Sequence, residues 1–179
     1  IGDSYTIGEM VKENERFPVQ LSSMLNSDSI DIAEPLIIAK TGWTTDELLA
    51  AIKEKNVKDT FSIVTLLIGV NNQYRGRSSE EYRAELKQLL DIAVKYTGGK
   101  KENVFVLSIP DWGVTPFAEG KDRGKIAAEI DKYNRVKKEE CEKLGVKYYD
   151  ITGISRINEP ELIASDGLHP SGKMYKMWV

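Results

Sequence analysis

Apolar and polar positions alternate along this chain with two different periods. Phe17, Leu21, Met24 and Leu25 recur at helical spacing, so a helix is expected over Phe17 to Leu25. Leu36 to Ala39 is a short apolar run that reads as a strand ending at Thr41-Gly42. Thr44-Thr45-Asp46-Glu47 has the form of a capping box and predicts a helix running to about Lys55. The run from Phe61 to Ile68 is β-branched and almost wholly apolar, as a central parallel strand covered on both faces would be. Ser78-Ser79-Glu80-Glu81 opens a further helix whose buried face is Tyr82, Leu86, Leu89, Leu90 and Ala93, ended by Gly98-Gly99. Val104 to Ile109 is the next strand, stopped by Pro110. A long helix from about Asp122 to Leu144 ends at Gly145, and Val146 to Ile151 is the last strand.

Strands and helices in alternation, joined by short loops, indicate a parallel sheet with helices on both faces. The chain has no internal repeat, linker or low-complexity stretch, and 179 residues fit one domain spanning 1–179. It opens at Ile1 and stops at Val179 inside a helical pattern, so trimming at both ends is expected, with a signal peptide, a lipid anchor or a first strand as the segments that could precede Ile1. Compartment is left open by such ends.

Composition narrows the chemistry. Hydrophobic residues make up 41% and charged residues 30%, the balance of an ordinary globular protein. A net charge of −3 gives no general attraction to nucleic acid, and no apolar run approaches the roughly 20 residues of a membrane span. One histidine and one cysteine are too few for a zinc site, and neither a Gly-x-Gly-x-x-Gly nor a Walker-type loop is present. No metal and no cofactor are expected. Cys141 falls on the inner face of the long helix and reads as core.

The single histidine, His169, follows Asp166 by three residues in Asp166-Gly167-Leu168-His169. Histidine is the side chain that ordinarily titrates near neutrality, so proton transfer falls to it. A serine needs such a base, and Ser4 stands in Gly2-Asp3-Ser4-Tyr5. In an open parallel sheet, ligands bind beyond the carboxyl ends of the strands. Thr41-Gly42-Trp43, Gly69-Val70-Asn71-Asn72 and Pro110-Asp111-Trp112-Gly113 all follow predicted strands and so share that edge. Each segment alone has a plain reading as a turn.

Taken in order, Gly2-Asp3-Ser4-Tyr5, Gly42, Gly69-Val70-Asn71 and Asp166-x-x-His169 resemble the four blocks of the SGNH or GDSL hydrolases. That resemblance spans residues 2 to 169. It implies a flavodoxin-like three-layer α/β/α fold and ester hydrolysis through an acyl-serine. Ser4 would be the nucleophile, His169 the base and Asp166 its orienting partner. The backbone amides of Ser4 and Gly42 and the side chain of Asn71 would form the oxyanion hole. Two positions depart from the family pattern: Tyr5 stands where leucine is usual, and Asn72 where aspartate often follows.

Asp3 is expected to orient the nucleophile loop by accepting backbone hydrogen bonds. Tyr5, Trp43, Tyr74, Trp112 and Phe117 lie at the same edge and could wall a substrate pocket, with packing an equal alternative for each. Arg75 and Arg77 read as solvated loop charge, with an anionic or sugar substrate the alternative. The expected substrate is a small-molecule acyl ester, with acetylated carbohydrate as one form, and the expected state is a monomer. Competing readings are a lysophospholipase or thioesterase of the same family and a non-catalytic binding module on the same fold.

Overall fold

The computed structural model describes residues 1–157 and 159–179. Eight α-helices punctuate a parallel sheet among these residues. They are α1 (Ser4–Ile7), α2 (Phe17–Ser27), α3 (Thr45–Lys55), α4 (Val70–Tyr74), α5 (Ser79–Tyr96), α6 (Arg123–Leu144), α7 (Thr152–Ser155) and α8 (Gly172–Met177). The strands are β1 (Val64–Leu66), β2 (Val104–Leu107) and β3 (Lys147–Tyr149), in the order β1-β2-β3 and all parallel.

The sheet continues past β1 through single bridges. Gly2 pairs in parallel with Leu67 on one side and with Ala39 on the other. The Gly2 N–H donates to Ile38 O at 3.0 Å and the Leu67 N–H to Ile1 O at 3.2 Å. Ile1-Gly2 therefore lies between the 38–39 segment and β1, and the chain turns straight from that slot into α1.

Local signals in the sequence set the helix ends. The Glu47 carboxylate accepts the Thr44 N–H at 2.8 Å, closing the capping box of α3. Ser78 accepts from Glu81 N at 3.1 Å and Asp122 from Lys125 N at 2.9 Å, starting α5 and α6. Gly145 ends α6 in the left-handed conformation, a backbone state that costs glycine nothing.

The strands are shorter than the apolar runs that encode them. The expected strand over Leu36 to Ala39 reduces to the one bridge at Ala39, and the Phe61 to Ile68 run pairs as a strand only over Val64–Leu66. A strand is defined by its ladder, and residues 61–63 and 36–37 have no paired neighbour here. Burial still follows the apolar pattern: Leu66, Leu67 and Ile68 are almost fully buried, as expected for the centre of the sheet.

Three helices, α3, α5 and α6, pack side by side, with α5 against β1 and α6 against β3. A second group pairs α2 with α8, around the rings of Phe17, Tyr175 and Trp178. The result is a parallel sheet flanked by helices, the three-layer α/β/α arrangement. Within α6 the fully buried Lys137 donates from Nζ to Leu107 O at 2.8 Å, and Cys141 is buried in the core one turn further on. No helix among the described residues is long and apolar enough to cross a membrane.

Candidate active site

The carboxyl edge of the sheet gathers all four sequence blocks. Ser4 opens α1 directly after the Ile1-Gly2 bridge, and only 5% of its surface is exposed. A Cβ at Gly2 would stand 2.2 Å from Leu67 O and 2.1 Å from Thr6 Oγ1, so only glycine lets the loop pass this close to the neighbouring strand. Asp3 caps the turn: its Oδ1 accepts the Tyr5 N–H at 3.1 Å, a backbone hydrogen bond of the kind expected of it. Its Oδ2 is buried without a partner among the described residues. Burial pushes this carboxyl up to about 7, against the pull of the Tyr5 hydrogen bond and of the Lys137 charge. Burial likewise pushes Lys137 down to about 7, with Cys141 and Asp3 opposing.

Asp166 and His169 are joined within one tight loop. Asp166 Oδ1 accepts the Leu168 and His169 N–H groups, each at 3.0 Å, while Oδ2 lies 2.5 Å from His169 Nδ1. Partial burial opposes ionisation of Asp166, but these hydrogen bonds outweigh it and hold the carboxyl below its ordinary value. The loop is pinned on both sides. Ala164 N–H donates to His169 O at 2.7 Å, Ser171 N–H to Leu162 O at 2.8 Å, and Phe117 N–H to Gly167 O at 2.9 Å. The His169 ring meets the ring of Tyr5 edge-on at 6.0 Å, which sets the imidazole against the residue that follows Ser4.

Gly42 and Asn71 also come together. Asn71 Nδ2 donates to Trp43 O at 2.9 Å, leaving its second amide hydrogen for another acceptor. Gly42 has φ +86°, and Arg75 clamps its carbonyl through Nη2 at 2.6 Å. Neither the Ser4 N–H nor the Gly42 N–H has an acceptor among the described residues. The Ser4 and Gly42 N–H groups and the second Asn71 amide hydrogen thus each follow one of the neighbouring segments that the Gly2 bridges join.

Several supporting contacts are not legible in the sequence. Asn72, the departure from the family pattern, is fully buried: it accepts the Thr45 N–H at 3.1 Å and donates to Thr45 Oγ1 at 2.6 Å. It thereby ties the start of α3 to α4 beside Asn71. Arg75 and Arg77 are committed to the protein itself. Arg75 bridges Gly42 O and Glu47, and Arg77 pairs with Asp46 at 2.9 Å and Glu81 at 3.3 Å. Behind the site, Asp111 is buried and bound by Arg156 Nε at 2.9 Å.

The aromatic residues divide by exposure. Tyr5 and Trp112 are 3% and 5% exposed, and with Leu168 and Pro170 they line a cavity of only about 10 Å³. Trp43 is half-buried against the core, and its carbonyl serves Asn71. Tyr74 and Phe117 are open to solvent. A cleft of about 490 Å³ lies at the opposite end of the sheet along Ile1, Ile38 and Val64. None of the candidate residues lines it.

A parallel sheet flanked by helices defines the fold class, the three-layer α/β/α kind. A model of the GDSL-like lipase/acylhydrolase family matches residues 1–177, and the chain belongs to that family. No curated protein sequence matches it. Among solved structures it resembles TesA with a TM-score of 0.74 at 18% identity, over 99% of this chain and 90% of that one. An acetylxylan esterase from Geobacillus stearothermophilus, Axe2, aligns with a TM-score of 0.73 at 19% identity, over 97% and 86% of the two chains. The psychrotrophic esterase EstA from Pseudoalteromonas sp. aligns with 0.71 at 14% identity, over 99% and 88%. At these identities the likeness concerns the fold.

Proposed function

We propose that the protein is a serine esterase acting on small acyl esters, with Ser4 as nucleophile, His169 as base and Asp166 as its orienting partner. The observation that carries this reading is the bonded Asp166–His169 pair. The only histidine of the chain has its Nδ1 engaged at 2.5 Å and its ring against the Ser4 loop.

Ser4 Oγ attacks the ester carbonyl while His169 Nε2 takes its proton. Asp166 holds the proton on Nδ1 and offsets the positive charge that forms on the ring. The oxyanion receives the Ser4 and Gly42 amides and the free Asn71 hydrogen. Collapse breaks the bond to the alcohol, which leaves with the proton from His169. Water then attacks the acyl-serine under the same base, releasing the acid and restoring Ser4. An acetyl ester of a carbohydrate is the substrate this reading prefers. The likeness to an acetylxylan esterase is in keeping with it.

A fluorophosphonate probe should label Ser4, located by peptide mass. Ser4→Ala should lower p-nitrophenyl acetate hydrolysis by at least about 10⁴-fold. Retained turnover in Ser4→Ala, or a label on another residue, would sink the assignment.

A further inference from the structure

Two exposed rings flank the proposed site and have no structural task that explains their exposure. Tyr74 is 53% exposed and Phe117 41%, with ring centroids 6.4 Å apart and planes tilted by 43°. Each is anchored to one half of the catalytic edge. Tyr74 ends α4, one helical turn after Asn71, so the two share a side of the helix. Phe117 donates its N–H to Gly167 O, two residues before His169, and the adjoining Pro116 lies so close to Gly167 that a Cβ there would come within 3.2 Å.

The buried Trp112 backs both rings edge-on, at 5.4 Å from Tyr74 and 5.9 Å from Phe117. Its indole N–H is fixed by Gln73 Oε1 at 2.8 Å, and Gln73 in turn donates to Glu129 at 2.8 Å. This backing holds the two outer rings in place, so a ligand would order little on binding them. Their rim is polar: Lys121 Nζ stands 5.6 Å from the Phe117 centroid.

We infer that Tyr74 and Phe117 form a binding platform for the sugar ring of a carbohydrate ester, and so set specificity on the alcohol side. The inference rests on the esterase reading above and assigns the alcohol half of its substrate. The alcohol lies on the open side. A long apolar alcohol gains from a concave, water-excluding groove, and this face is open. A pyranose presents a flat C–H face and a hydroxyl rim, which match exposed rings bordered by a phenol and an ammonium.

The test compares acetylated xylo-oligosaccharide with p-nitrophenyl acetate on the wild type, Tyr74→Ala, Phe117→Ala and the double variant. Each single alanine should lower the kcat/KM ratio of the sugar ester to the aryl ester about tenfold, mainly through KM, and Tyr74→Phe should restore it to within about twofold. A ratio unmoved in the double variant overturns the platform. Calorimetric titration with xylotetraose reads the platform without turnover, and binding equal in the wild type and the double variant also overturns it. A wild type inert to every ester but binding xylotetraose through these rings would refute the esterase reading and leave the platform standing.

Discussion

Replacing Asp166 with asparagine removes a charge and almost no volume, so the effect falls on individual hydrogen bonds within the loop. Oδ1 accepts two backbone N–H groups at 3.0 Å, a task an asparagine carbonyl performs equally, so the loop should keep its shape. The other position changes sign. Where Oδ2 lies 2.5 Å from His169 Nδ1, asparagine presents an N–H, and two donors cannot bond. The ring answers by moving its proton to Nε2, the atom that must accept the Ser4 proton. Such a tautomer error costs about 10⁴ in kcat, equivalent to about 5 kcal/mol of barrier. Stability should change little at neutral pH, because the pair is partly exposed and screened. The pH dependence has a definite sign. The Asp166 carboxyl lies below its ordinary value in the fold, so its stabilisation is present above the unfolded value and is lost as pH falls through the folded one. Asp166→Asn should lack that acid limb. Initial rates on p-nitrophenyl acetate, beside thermal melts followed by circular dichroism, test both halves. A loss below tenfold with an unchanged melting curve would refute the tautomer argument.

Two further outcomes concern the scaffold. Gly69 has φ +123°, and a Cβ there would meet Tyr82 at 2.7 Å and Ile109 at 2.9 Å, so Gly69→Ala should cost about 3 kcal/mol and lower Tm by about 6–12 °C. Because Gly69 caps the helix bearing Asn71, turnover should fall as well, and a Tm within about 2 °C of wild type would contradict the crowding. For Asp3 the raised carboxyl means that the fold binds a proton the unfolded chain has released. Its stabilisation is full below about 3.8 and is lost as pH rises through about 7. Asp3→Asn should therefore gain on the wild type between pH 4 and 8, by at most about 4 kcal/mol and less to the extent that the Lys137 charge compensates. Urea midpoints of both proteins across that range check it, and parallel curves would overturn it.

How far each feature can be read from sequence depends on how local its cause is. The capping box at Thr44, the serine cap at Ser78, the Asp122 start and the Gly145 stop of α6 all lie close to expectation, because neighbours within one turn fix them. The Asp166–His169 pair is equally local, three residues apart in one loop. Strand lengths are not legible: the apolar runs of 36–39 and 61–68 mark what is buried, whereas pairing depends on a neighbouring strand.

The aromatic residues show the same division. Tyr5, Trp43, Tyr74, Trp112 and Phe117 are equal candidates in the sequence, and only packing separates the buried Trp112 from the exposed Tyr74 above it. Asn72 has the look of a turn residue in sequence, yet its contacts with Thr45 join two helices across 27 positions. By itself, the sequence determined the alternation of elements, the four chemical blocks and the internal pairing of the Asp166–His169 loop, since periodicity and short-range hydrogen bonds require only near neighbours. Tertiary structure alone decided that the Ser4 loop emerges between the 38–39 segment and β1, and that His169 meets Tyr5 there. The second of these contacts joins residues more than a hundred positions apart, and only the packed sheet holds them together.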